Sequence, residues 1–93
     1  MFKVNQYFDG NVVSLAFKTT DGNATAGVMA SGEYEFGTGA EETMIVTTGS
    51  MKVLLPGSKD WVIYGVGGSY KVSANSKFKV SVDSDTSYIC LYK

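Results

Sequence analysis

The chain predicts an all-β fold, on three observations. Apolar residues recur with a period of two along most of its length and nowhere sustain a helical period. Its eleven glycines fall largely at turn positions. Between those turns lie roughly nine short segments at close spacing, the pattern of a sandwich or barrel. At 93 residues, folding hides only about 65% of the surface that the unfolded chain exposes. One domain spanning residues 1–93 with a thin core is expected, without linker or low-complexity tract.

The elements follow in order. Val13, Leu15 and Phe17 alternate with Ser14, Ala16 and Lys18, which predicts a first strand with the apolar row on the core face. Thr20-Asp21-Gly22-Asn23 supplies turn chemistry, because Gly and Asn tolerate positive φ, and a second strand is predicted over Ala24 to Ala30. Ser31-Gly32 reads as a hairpin turn into Glu33-Tyr34-Glu35-Phe36. Thr43 to Thr48, the tight Gly49-Ser50 turn and the apolar run Met51 to Leu55 read as another hairpin. The single proline, Pro56, opens a connection through Asp60. Trp61 to Tyr64, Ser69 to Val72, Phe78 to Val82 and Ser87 to Tyr92 complete the strands.

Composition narrows the function. Hydrophobic residues make up 44% and aromatics 13%, far from the polar, highly charged profile of a disordered chain. Eight lysines and no arginine against nine acidic residues give a net charge of -1. That balance lacks the basic excess a phosphate backbone demands, so nucleic acid polymers are not expected partners. No window approaches the roughly 20 apolar residues of a membrane helix, and no signal-type run opens the chain, so a soluble cytoplasmic protein is expected. Cys90, between Ile89 and Leu91, is the only cysteine. It forms no internal disulfide and reads as a small buried apolar group on a strand.

Glu42, six intervening residues and Gly49 reproduce the spacing of the first sequence motif of cupins, in which two histidines and the glutamate hold a metal. This chain has no histidine. Phe36 and Thr38 stand roughly where the two belong. In the second motif Gly67 keeps the glycine, while Ser73, Asn75 and Phe78 replace the usual proline, glycine and histidine. One carboxylate without imidazole is a poor site for zinc, iron or nickel, so no metal is expected. Chemistry would rest on hydrogen bonds, aromatic faces and charge.

The segments Asn5-x-Tyr7-Phe8-x-Gly10, Gly32-Glu33-Tyr34-x-Phe36, Glu42-x-Met44, Val53-Leu54-Leu55-Pro56, Asp60-Trp61 and Ser87-Tyr88-x-Cys90-x-Tyr92 resemble the small pyrimidine/purine nucleoside phosphorylase family. The resemblance runs from Asn5 to Tyr92. It implies a cupin-like jelly-roll β-barrel, a homodimer, and phosphorolysis of purine and pyrimidine nucleosides to free base and ribose 1-phosphate. Orthophosphate would be a co-substrate and no cofactor is implied. The family carries an arginine between the Cys and Tyr of the last strand and a Pro-Gly-His run before Phe78. Leu91 and Ser73-Ala74-Asn75 stand there instead, which leaves a lysine or backbone amides to hold phosphate.

Cleavage of an N-glycosidic bond passes through a cationic sugar, so positioning and electrostatics suffice when phosphate supplies the nucleophile. Glu42 is the expected catalytic carboxylate, holding ribose hydroxyls and favouring the cation. Tyr34, Phe36, Phe78 and Tyr88 are expected to line the cavity and stack on the base, a contact that tolerates every base. Thr38 and Ser76 are candidate hydroxyl donors and Lys71 a candidate phosphate partner. Lys77 and Lys79 read as solvated edge charges. Two other readings remain: a metal-free cupin pocket that senses a small sugar or nucleoside without turnover, and a structural barrel whose aromatic interior is only core.

Overall fold

The computed structural model describes residues Met1–Lys93 as ten strands and no helix. In chain order they are β1 (Lys3–Tyr7), β2 (Val12–Thr19), β3 (Gly22–Met29), β4 (Gly32–Gly37), β5 (Glu42–Thr48), β6 (Met51–Leu54), β7 (Val62–Tyr64), β8 (Ser69–Val72), β9 (Lys77–Val82) and β10 (Thr86–Tyr92). Every pairing is antiparallel. One sheet has six strands in the order β1-β2-β3-β10-β5-β8, and the other has four in the order β4-β9-β6-β7. The architecture is the expected cupin-like jelly roll. No continuous ladder joins the two sheets, so it is a sandwich with an open mouth rather than a closed barrel.

Local turn chemistry explains some connections and misleads at others. The two-residue turn Thr20-Asp21 links β2 to β3, where the Thr19 hydroxyl accepts the Asp21 N–H at 3.1 Å and donates to the Gly22 carbonyl at 3.2 Å. Ser31-Gly32 does not close a hairpin. The chain crosses there to the other sheet and β4 pairs with β9. The same correction applies at Gly49-Ser50, since β5 pairs with β10 and β8 while β6 pairs with β9 and β7. Gly49 has φ +77°, and a Cβ there would lie 2.5 Å from Thr86 Oγ1, so the crossing needs glycine.

A single apolar cluster fills the space between the sheets, with Val12, Met29, Val46, Met51, Val53, Val72 and Val80 at its centre. The phase of β2 is the reverse of the sequence expectation. Val12 and Ser14 face inward, whereas Leu15 is exposed on the outer face. β1 was not expected at all, and its burial is that of a solvated edge strand.

Candidate active site

The open end of the sandwich holds a cavity of about 380 Å³, within the range of small-molecule sites. Its two walls differ in chemistry because they come from different sheets. The six-stranded sheet contributes Ser14 from β2, Thr25 from β3, Glu42 from β5, and Tyr88, Cys90 and Tyr92 from β10. The four-stranded sheet contributes Phe36 and Gly37 from β4 and Phe78 from β9, with Glu35 at the rim. Tyr7 and Phe8, at the end of β1, close one side. The wall from the six-stranded sheet thus carries the hydroxyls, the thiol and the Glu42 carboxyl beside the apolar Met29 and Met44, and the wall from the four-stranded sheet carries the two phenyl rings.

Glu42 is brought inward by the alternation of β5, in line with the buried Met44 and Val46. Its Oε1 accepts a hydrogen bond from Cys90 Sγ at 3.4 Å. Burial raises the carboxyl above its usual range, and the thiol hydrogen bond partly opposes this by favouring the anion. Burial first, and then the Glu42 charge, push Cys90 up to about 12. The thiol is thus a neutral donor rather than a nucleophile. Beside it the Tyr92 and Thr25 hydroxyls pair at 3.2 Å.

The aromatic wall is a run of touching rings. Phe36 and Phe78 lie 5.6 Å apart and tilted by 31°, and Phe78 meets Tyr70 at 6.1 Å behind the cavity. Phe8 stands perpendicular to Phe36 at 5.6 Å. It is held there by a turn in which Phe8 and Asp9 both adopt left-handed φ, 54° and 57°. Such angles are costly away from glycine and cluster at functional sites.

Of the residues expected from sequence, Glu42, Phe36, Phe78 and Tyr88 meet at this cavity. Four others do not reach its lining. Tyr34 is buried behind Phe8 and Phe36, its hydroxyl donating to the Ala30 carbonyl at 2.6 Å. Thr38 donates to the Ser73 carbonyl at 2.6 Å and accepts the Ser76 N–H at 3.0 Å, so its hydroxyl is occupied in fastening a turn. Ser76 donates to Ala74 within that same turn. Lys71 is exposed on β8, on the face opposite Tyr70 and Val72. Leu91 likewise faces outward and Asn75 sits in the turn at φ 56°, so neither departure from the family pattern bears on the cavity of this chain. Sequence reasoning missed Ser14, Thr25, Tyr92, Tyr7 and Phe8. A correct phase for β2 and β3 would have found the first two.

A family model described as pyrimidine/purine nucleoside phosphorylase matches residues 2–92. A Pseudomonas savastanoi pv. phaseolicola protein with the name "Pyrimidine/purine nucleoside phosphorylase" is 55% identical over 93 residues, which is 100% of each chain. The chain belongs to the pyrimidine/purine nucleoside phosphorylase family. A Pseudomonas aeruginosa protein of the same name is 56% identical, again over 100% of both chains. Among solved structures, a Vibrio parahaemolyticus protein described as of unknown function is 42% identical, covers 97% of this chain and 96% of its own, and superposes with a TM-score of 0.93. The Clostridium difficile EutQ protein shares only the fold, at 18% identity and a TM-score of 0.74 over 95% of this chain and 77% of its own.

Cupins commonly bind a metal, and the cavity of this family member does not fit one. Its candidate ligands are the Glu42 carboxylate and the Cys90 thiol, with Glu35 only at the rim, no imidazole, and no group of three metal-binding side chains.

Proposed function

We propose that this chain is a metal-independent nucleoside phosphorylase with broad base specificity, working in the cavity between Glu42 and the Phe36–Phe78 wall. The observation that carries the reading is that the cavity sets the Glu42 carboxylate and the hydroxyls of one sheet against the Phe36 and Phe78 rings of the other, groups that suit the two halves of a nucleoside. The base stacks on Phe36 and Phe78, a contact available to purines and pyrimidines alike. The ribose hydroxyls donate to the Glu42 carboxylate. As the C1′–N bond breaks, positive charge grows on the sugar, and the same carboxylate stabilises it. A phosphate oxygen forms the new C1′–O bond as the C1′–N bond breaks, and the proton that hydrogen phosphate gives up on becoming an ester ends on the departing base nitrogen. Ribose 1-phosphate and free base result.

Support for a homodimer comes from the outer face of the six-stranded sheet. Val13, Leu15, Val28, Ile89 and Leu91 share it, with Leu15 and Val28 exposed at 42% and 51%. A contiguous apolar face on so small a chain suits a self-complementary two-fold contact. No helix is long and apolar enough to cross a membrane. A cytoplasmic setting agrees with the free thiol of Cys90 and with supplies of nucleoside and orthophosphate.

The test is release of free base from uridine and guanosine, with and without phosphate and a chelator. Phosphate-dependent release that survives the chelator supports the proposal. Ligand-induced thermal stabilisation without base release would replace it with a binding module.

A further inference from the structure

Two buried hydroxyls facing the cavity have no partner within the chain. Ser14 and Tyr88 are 4% and 7% exposed, and both line the cavity. Other inward hydroxyls are engaged: Tyr92 with Thr25, Tyr34 with the Ala30 carbonyl, Tyr70 with the Met51 sulfur, and Thr86 with backbone carbonyls. No sealed side-chain oxygen in the structure lacks a partner, so the Ser14 and Tyr88 oxygens open onto the cavity. Buried polar groups are almost always hydrogen-bonded. A pair left free at a cavity wall is built for something that arrives.

The two converge through Gly27. Ser14 and Tyr88 are its cross-strand partners on either side. The Tyr88 ring lies flat over it, since a Cβ at Gly27 would sit 2.4 Å from both Cζ and the hydroxyl oxygen. The phenol is therefore carried one strand across, toward Ser14 on β2. Adjacent strands are about 4.8 Å apart, so the two donors stand at the spacing that grips separate oxygens of one tetrahedral anion. Tyr7 lines the same end of the cavity.

The chemistry of the rest of the cavity says which ligand they meet. Glu42 only accepts hydrogen bonds, so it suits the ribose hydroxyls, which donate. Phosphate oxygens need donors. Yet none of the eight lysines lines the cavity, and the chain has neither arginine nor histidine. We propose that the attacking orthophosphate is held by the hydroxyls of Ser14 and Tyr88, assisted by Tyr7, in place of a cationic residue. Burial pushes the Tyr88 hydroxyl up to about 12, which keeps it a donor throughout the working pH range. Ser14 and Glu42 lie three strands apart in the sheet, on β2 and β5. Through Gly27 and Tyr88, Ser14 is level with Val46, and Glu42 lies four residues further along β5, so the diagonal is roughly 20 Å at the backbone, which the inward-leaning Glu42 and Tyr88 side chains shorten to a span for ribose and phosphate.

This inference rests on the cavity being the active site, and the experiment separates the two. Steady-state kinetics on uridine would be measured for wild type, Ser14→Ala, Tyr88→Phe, Lys71→Met and Glu42→Gln, varying inorganic phosphate and uridine separately. Both hydroxyl deletions remove only an unbonded oxygen, so folding should persist, as a thermal melt would verify. The expected result is a rise of roughly 10- to 100-fold in KM for phosphate for Ser14→Ala and Tyr88→Phe, with KM for uridine within about twofold of wild type and no change for Lys71→Met. Added KCl should not raise the wild-type KM for phosphate, since no exposed cation is there to be screened. An unchanged KM for phosphate in both hydroxyl variants, or a raised one in Lys71→Met, overturns the phosphate assignment while leaving the cavity in place if Glu42→Gln is impaired. Full activity in Glu42→Gln overturns the cavity reading itself.

Discussion

Replacing Glu42 with Gln keeps the shape of the side chain and removes its charge. A carboxylate about 5 Å from a developing unit charge, at the effective dielectric of about 20 that suits protein sites, contributes about 3 kcal/mol. At 1.36 kcal/mol per decade, that is between about 10² and 10³ in turnover. The half-buried setting of Glu42 lets solvent screen part of it, so a loss near 10² is expected, in line with removal of one positioned electrostatic group. Stability should move the other way. Burial raises the Glu42 pKa, so the folded chain holds that proton more tightly than the unfolded chain does. The associated stability is full below the unfolded carboxyl range and is lost as pH rises through the folded pKa. The Gln variant escapes that loss, so it should melt above wild type at pH 8, the gap closing on acidification. Phosphate-dependent base release and thermal melts at several pH values read both effects. Wild-type turnover in a folded Glu42→Gln protein, or a melting point lowered at pH 8, would refute the reasoning.

Other perturbations test neighbouring parts of the structure. Cys90→Ala removes the hydrogen bond that opposes the rise in the Glu42 pKa. The acid limb of the pH profile should therefore move to higher pH and return with Cys90→Ser; Tyr70, Tyr88 and Tyr92, which also face Glu42, have raised pKa values and stay neutral across that range. Phe36→Leu should raise KM for uridine and guanosine alike, by about fivefold if stacking contributes at the lower end of its usual 1–3 kcal/mol; unaltered constants for both would remove Phe36 from the base site. Gly49→Ala places a methyl 2.5 Å from Thr86 Oγ1 at φ +77°, and about 1–3 kcal/mol of strain should lower the melting temperature by roughly 5–15 °C. Leu15→Glu puts a charge on the outer apolar face, and sedimentation should then report half the wild-type mass.

The alternation of β-strands made the all-β architecture and most strand positions legible, because a period of two is local information. The inward side of β2 was not legible. Its more apolar row, Val13, Leu15 and Phe17, turns outward while Val12 and Ser14 face in, so alternation located the strand but pointed to the wrong face. Ser14 therefore read as solvent-facing, and half of the inferred phosphate site went unseen. Gly32 and Gly49 misled for a related reason. A tight glycine turn looks the same whether the chain folds back beside itself or crosses to the opposite sheet, and only pairing with β9, β6 and β10 decides. Glu42 lines the cavity as expected because motif spacing fixes its place on a strand. Phe36, Phe78 and Tyr88 line it too, because aromatics at inward positions of a small sandwich border any space left there. Thr38, Ser76 and Lys71 were misplaced because nothing local reveals that a threonine hydroxyl is already bonded or that a lysine stands on the outer face.

β10 lies between β3 and β5, although nearly sixty residues of sequence order separate it from the first of these and about forty from the second. Both neighbours leave the ribosome well before the strand that joins them. Until residues 86–92 follow, β3 and β5 expose unpaired edges, and the wall bearing Tyr88, Cys90 and Tyr92 does not exist. Pairings so distant in sequence form slowly, and open edges invite association with other nascent chains. For this protein, maturation of the cavity and escape from aggregation are one late event, the docking of a single seven-residue strand.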